Sequence, residues 1–118
     1  MATPRIRLLI GDTIAIGPGK ASLLEEIDRK GSISAAARNM GMSYRKAWRL
    51  IDSINDDFKV EIVSKSTGGK GGGGAYLSPF GKEMLQRYLL IEKKAAESIV
   101  DDLVWFCLLY TSPSPRDA

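Results

Sequence analysis

Histidine is absent from this 118-residue chain, and cysteine occurs once, at Cys107. The first absence removes the commonest general base and metal ligand. The second excludes an intramolecular disulfide and any multi-cysteine zinc site, and it leaves the redox compartment unconstrained. No uninterrupted apolar run is long enough to cross a bilayer. Arg5 and Arg7 break up the early apolar residues, so no N-terminal signal pattern forms. A large excess of one charge is also missing, since 17 Lys and Arg face 14 Asp and Glu for a net charge of +3. What remains is one cytoplasmic domain with a modest core of its own, carrying no nucleophile–base pair, metal cluster or cofactor loop of an enzyme.

The distribution of charge is more informative than its total. From Arg29 to Arg49 there are six basic residues (29, 30, 38, 45, 46 and 49) and no Asp or Glu. Acidic residues collect elsewhere, at Glu25, Glu26 and Asp28, at Asp56 and Asp57, and at Asp101 and Asp102. Within the basic segment, GSISAAARNMGMSYRKAWRLIDSINDDF reads as a short helix, a tight turn and a longer helix. Ser32 and Ser34 are both suited to cap the first helix. Ala35, Ala36 and Ala37 favour helix and permit close approach of a second one. Gly41 supplies the freedom to stop after Met40, and Ser43 can cap the next helix. At about 100° per residue, Ala47, Ile51, Ile54 and Phe58 share one side, with Tyr44 and Trp48 at its edge. Arg45, Lys46, Arg49 and Ser53 fall opposite. This is the layout of a helix-turn-helix, whose second helix enters the DNA major groove. A solvated amphipathic helix is the plain alternative, and the segregation of charge weighs against it.

The flanks complete a winged version of this motif. Arg5–Ile10 and Thr13–Ile16, around Gly11-Asp12, read as a β-hairpin with Ile6, Leu8 and Ile10 on one face. Pro18 suits the first turn of a helix continuing through Ala21–Lys30, with Leu23, Leu24 and Ile27 buried and Gly31 at its end. Val60–Val63 reads as a strand, and Ala75–Leu77 as another. Between them, six of the seven residues from Gly68 to Gly74 are glycine. Two strands joined by a pliable tip directly after a DNA-reading helix describe a wing at 66–75, ordered on contact with DNA. There glycine lets the backbone approach a sugar-phosphate chain, and Lys65 and Lys70 can neutralise phosphate. A plain linker is one alternative and a nucleotide cradle another. The cradle fails on spacing, because Ser64 stands where a Walker sequence needs its first glycine and Gly71 where it needs Ser or Thr.

From Pro79 a long helix is expected through at least Ser98. Met84, Tyr88, Ile91, Ala95, Ile99 and Leu103 recur at spacings of three or four. A helix this long packs only in part on a small domain, so the stripe is expected to pair with its copy in a homodimer. Beyond about Trp105 the character breaks into an apolar stretch and a Pro/Ser tail. CLLYTSPSPRDA resembles terminal strings that arise from vector or read-through sequence, which places the domain at 1–104 and a non-native or disordered tail at 105–118.

GSISAAARNMGMSYRKAW together with STGGKGGGGAYLSPFG resembles the N-terminal DNA-binding domain of the ModE family of molybdate-responsive bacterial regulators. The first segment is similar, more distantly, to the winged helix of LysR-type regulators. The resemblance covers about Arg5 to Ser98. It implies a winged helix-turn-helix fold, mainly α with a small β wing, and a long C-terminal dimerisation helix. It also implies duplex DNA as partner, with Ser43, Tyr44, Arg45, Arg49, Lys65, Thr67 and Lys70 in the helix-and-wing contact region. Full-length members carry C-terminal molybdate-binding domains, for which no residues remain here, so no cofactor is expected. The function expected is a DNA-binding transcription regulator reading duplex DNA with helix 43–58 in the major groove. Arg45 and Arg49 would reach base edges, with Ser43, Tyr44, Lys46, Lys65 and Lys70 on the backbone and Ser34 also among the DNA-binding residues. The competing reading is a winged-helix protein–protein interaction module without sequence-specific DNA binding.

Overall fold

Residues 3–65 and 74–110 are described by the computed structural model. The chain opens with an antiparallel hairpin of β1 (Leu8–Ile10) and β2 (Thr13–Ile16), turning at Gly11-Asp12. Three helices follow: α1 (Pro18–Lys30), α2 (Ile33–Met40) and α3 (Tyr44–Asp57). A second antiparallel pair, β3 (Val63–Lys65) with β4 (Ala75–Leu77), forms the base of the wing. The chain then continues through α4 (Pro79–Ser98) and α5 (Val100–Leu109). This is a winged helix-turn-helix, as the sequence predicts. The glycine-rich stretch 66–73, with Thr67 and Lys70, lies outside the described residues, as do 111–118 of the expected tail.

One core holds these elements. Leu23, Leu24 and Ile27 of α1 meet Ile33, Ala36 and Ala37 of α2 and Ala47, Ile51 and Ile54 of α3. Val63, Ala75 and Leu77 close it from the wing side, and Leu85 and Tyr88 from α4. Such burial, at about 25 cal/mol per Å² of apolar surface, is the main source of stability. Local chemistry sets where the helices begin and end. Pro18 occupies the first turn of α1, and the Ser32, Ser43 and Ser78 hydroxyls each accept a backbone N–H at the starts of α2, α3 and α4. Gly41 ends α2 at φ 70°, a left-handed conformation that a side chain disfavours.

Two hydrogen-bonded stitches fix the wing to the helices. The Asn55 side chain of α3 accepts from the Ile62 and Val63 amides at 2.9 and 3.1 Å and donates to the Val63 carbonyl at 3.3 Å. On the other strand, the Ala75 amide donates to the Gly31 carbonyl at 3.1 Å. Asn55 also explains one difference from the sequence-based expectation. The strand begins at Val63 rather than Val60, because a side chain and not a neighbouring strand satisfies the amides of 62 and 63.

Other expectations also shift. A register change between Leu8 and Leu9 breaks the alternation predicted for the first hairpin, and Ile10 is left 66% exposed. Ser53 faces α1 rather than outward and accepts from the Lys20 ammonium at 3.4 Å. Residues 105–109, placed by the sequence in a non-native or disordered tail, lie within α5. Within the expected dimer stripe, Tyr88 is 1% exposed, and the half-buried Met84 packs against the same core. Ile91 remains exposed, Ala95 and Ile99 are half-buried, and α5 buries none of its residues. No described helix is long and apolar enough to cross a membrane.

The Tyr88 hydroxyl donates to the Ile6 carbonyl at 2.6 Å, with the Glu92 carboxylate 3.0 Å away as a second acceptor. Burial, then the hydrogen bond to Glu92 and its negative charge, push the phenol up to about 12, with Arg5 opposing slightly. A value raised on folding means that the native state holds this proton more tightly than the unfolded chain does. The associated stability is therefore present below about pH 10 and lost as pH rises toward 12. Between pH 9 and 11.5 the denaturant midpoint of the wild type is expected to fall further than that of Tyr88→Phe; equal falls would contradict this assignment.

Gly81 gives a second test. In its place a Cβ would collide with the Ile62 carbonyl oxygen, just before β3. Gly81→Ala is expected to destabilise by about 1–3 kcal/mol in chemical denaturation, as overpacking does. A neutral result would show that α4 can retreat freely from the wing.

Candidate nucleic-acid interface

α3 is addressed differently on each of its sides. With about 100° between successive residues, the stripe opposite Ala47, Ile51 and Ile54 consists of Arg45, Arg49, Asp52 and Asp56, all exposed. Tyr44, Trp48 and Asn55 lie on the wing side. Lys46, Leu50, Ser53 and Asp57 lie on the side of the first hairpin and the start of α1, where Lys20 bonds to Ser53 and pairs with Asp57 at 3.7 Å.

Of the residues selected from sequence, Ser43, Tyr44, Arg45, Lys46 and Arg49 are all exposed at the start of α3, on different sides of it. Arg45, Lys46 and Arg49 are exposed on the first turns of α3. Among the described residues the ion pairs are Lys20–Asp57, Glu26–Arg29 and Glu83–Arg87, so none neutralises these three cations or Lys65. Ser43 precedes them, its Oγ accepting from the Lys46 amide at 3.1 Å. That bond uses only a lone pair, leaving the hydroxyl proton free to donate to an oxygen. Ser32, rather than Ser34, caps α2, and Ser34 sits exposed within its first turn. Thr67 and Lys70 lie outside the described residues.

Tyr44 and Trp48 are more than the edge of an apolar face. Tyr44 is 52% exposed and meets the half-buried Trp48 edge to face, with ring centroids 6.0 Å apart. The Lys65 ammonium, at the end of β3, lies 4.1 Å from the centroid of Trp48. This cation–π contact holds the Lys65 charge beside α3.

Sequence reasoning missed Asp52, although the helical spacing could have found it. Asp52 and Asp56 make the outward stripe acidic in its second half, so α3 is cationic where it starts and anionic where it ends. It also missed Asn55, for which the sequence carries no distinguishing signal. The chemistry offered is that of an anion-binding ridge with forked donors at Arg45 and Arg49, suited to paired acceptors. A double-mutant cycle on stability with Trp48→Leu and Lys65→Met is expected to give a coupling of about 0.5–1 kcal/mol, and zero coupling would remove the contact from the account.

Comparison with known proteins places this geometry. Residues 20–82 match the family described as bacterial regulatory helix-turn-helix protein, lysR family. Transcriptional regulator ModE of Yersinia pestis is 41% identical over 88 residues, 72% of this chain and 34% of that protein. The DNA-binding transcriptional dual regulator ModE of Escherichia coli K12 is 42% identical over 88 residues, with the same coverage. Molybdenum-pterin-binding protein MopB of Rhodobacter capsulatus is 42% identical over 82 residues, 70% of this chain and 30% of that protein. The chain spans about a third of the length of these curated relatives.

Proposed function

This chain belongs to the bacterial regulatory helix-turn-helix proteins of the lysR family, and from that premise we propose how its DNA-binding segment engages a duplex. The first half of α3 enters the major groove. Arg45 and Arg49 reach base edges, where a forked guanidinium matches the paired acceptors of guanine. Ser34, Ser43, Tyr44, Lys46 and Lys65 hold backbone phosphates, and the loop at 66–75 continues the backbone contact through Thr67 and Lys70. The observation that carries this reading is the unneutralised cationic start of α3 beside the wing cation on Trp48. Asp52 and Asp56 support it, because carboxylates repel phosphate and favour insertion by the N-terminal turns.

The segment acts as a cytoplasmic homodimer in this proposal. Ile91, Ala95 and Ile99, beyond the part of α4 that serves its own core, meet a second copy. A two-fold arrangement would set two reading helices about 34 Å apart, one DNA turn, or a multiple of that. The molybdenum chemistry in the relatives' names is not assigned to this segment, which spans about a third of their length.

Duplexes recovered from a random pool provide the test. Arg49→Ala is expected to cost about 1–3 kcal/mol on the selected site and to relax the preference at one base. Lys65→Ala is expected to weaken all duplexes alike and to lower the salt slope by about 0.9. The same uniform loss from both variants would remove the division of roles. Salt-insensitive binding of a protein partner, in place of duplex binding that falls steeply with salt, would favour a protein-interaction module instead.

A further inference from the structure

A helix seated in the major groove, which is about 12 Å wide, runs between two phosphate walls. Lys65 and the wing lie on one side of α3. On the other side, a groove of about 940 Å³ opens between the residues before β1, the start of α1 and the turn from α2 to α3. Arg5, Arg7, Lys20 and Lys46 line it, along with apolar residues such as Met42 and Leu50, and no Asp or Glu does. Lys20 is occupied by the Ile14 carbonyl, Ser53 and Asp57. Arg5, Arg7 and Lys46 form none of the ion pairs among the described residues. The start of α1, with no acidic residue in its first turn, borders the same groove and adds a dipole of the same sign.

The arm carrying Arg5 and Arg7 is tied down. Between them Ile6 turns inward, half-buried, and its carbonyl accepts the Tyr88 hydroxyl at 2.6 Å, while both arginines stay exposed. The position is continuous with the reading surface, because Lys46 belongs to both. At about 100° per residue, Lys46 and Leu50 lie about 60–100° around α3 from Arg49, turning away from Trp48.

We propose that the Arg5–Arg7 arm, anchored through Ile6 by Tyr88, is a second backbone clamp that grips the DNA phosphate strand on the side of α3 opposite the wing. This rests on the reading of α3 as the DNA-reading helix. The occupant is a row of duplex phosphates, fitted by its charge to a groove lined with cations and no carboxylate. Tyr88 is then a positioning residue, holding in place the backbone that presents the two guanidinium groups.

The test uses the tightest duplex that the wild-type chain recovers from a random pool, with phosphate-ethylation interference and the dependence of affinity on salt. The wild type is expected to show interference on both strands bordering the occupied major groove. The double variant Arg5→Gln/Arg7→Gln, at unchanged thermal stability, is expected to lose interference on one wall only. Its salt slope should fall by about 1.8, the share of two phosphates. Tyr88→Phe, which keeps both charges but frees the arm, is expected to weaken the same interference while leaving base preference intact. An interference pattern and slope unchanged in the double variant, on a duplex that Arg49→Ala still weakens, would overturn the clamp and leave the reading helix standing. Failure of the wild type to recover any duplex would instead overturn the function from which the clamp follows.

Discussion

The burial of Ala47, Ile51 and Ile54 against α1 and α2 is the constraint from which the rest of this molecule follows. Once that face is committed to the core, helical geometry leaves Arg45 and Arg49 no direction but outward. Rotating α3 to hide the arginines would strip three apolar side chains of their contacts and bury charge without partners, each costing several kcal/mol. Gly41 in its left-handed conformation and the Ser43 cap set where the helix starts, so its rotation and its starting point are both specified. The cationic face is a consequence of how the core closes.

The wing depends on the same helix. Asn55 binds the amides leading into β3, and Trp48 receives the Lys65 ammonium at that strand's end. The opposite strand is tied to Gly31, where α1 gives way to α2. The Lys65 charge at the base of the wing thus belongs to one unit with α3. Such preorganisation lowers the ordering cost of binding. The arm before β1 is secured in the same manner, by a phenol from α4 on a backbone carbonyl.

Much of this was legible in the sequence, and the exceptions have physical causes. Helix termini were legible because Pro18, Gly31, Gly41 and Ser43 act through local backbone chemistry that composition displays. The buried face of α3 was legible from its period. The start of β3 was not, since it is set by a side chain eight residues earlier in the chain, at Asn55. The alternation in the first hairpin failed at a bulge, which has no composition of its own here. The period that includes Tyr88 in a dimer stripe identifies an apolar face without saying what covers it, and Tyr88 is covered by its own domain. The site was legible as residue types on the first turns of α3, whereas the groove under Arg5 and Arg7 exists only where three separated segments meet.

The central claim is that duplex DNA meets this chain along the first turns of α3, with the base of the wing beside them. Backbone amide shifts recorded while a duplex is added address it most directly. The account predicts the largest changes at residues 43–49 and around Lys65, with α5 unaffected. Changes centred on α4 and α5, with those of residues 43–49 unmoved, would contradict it.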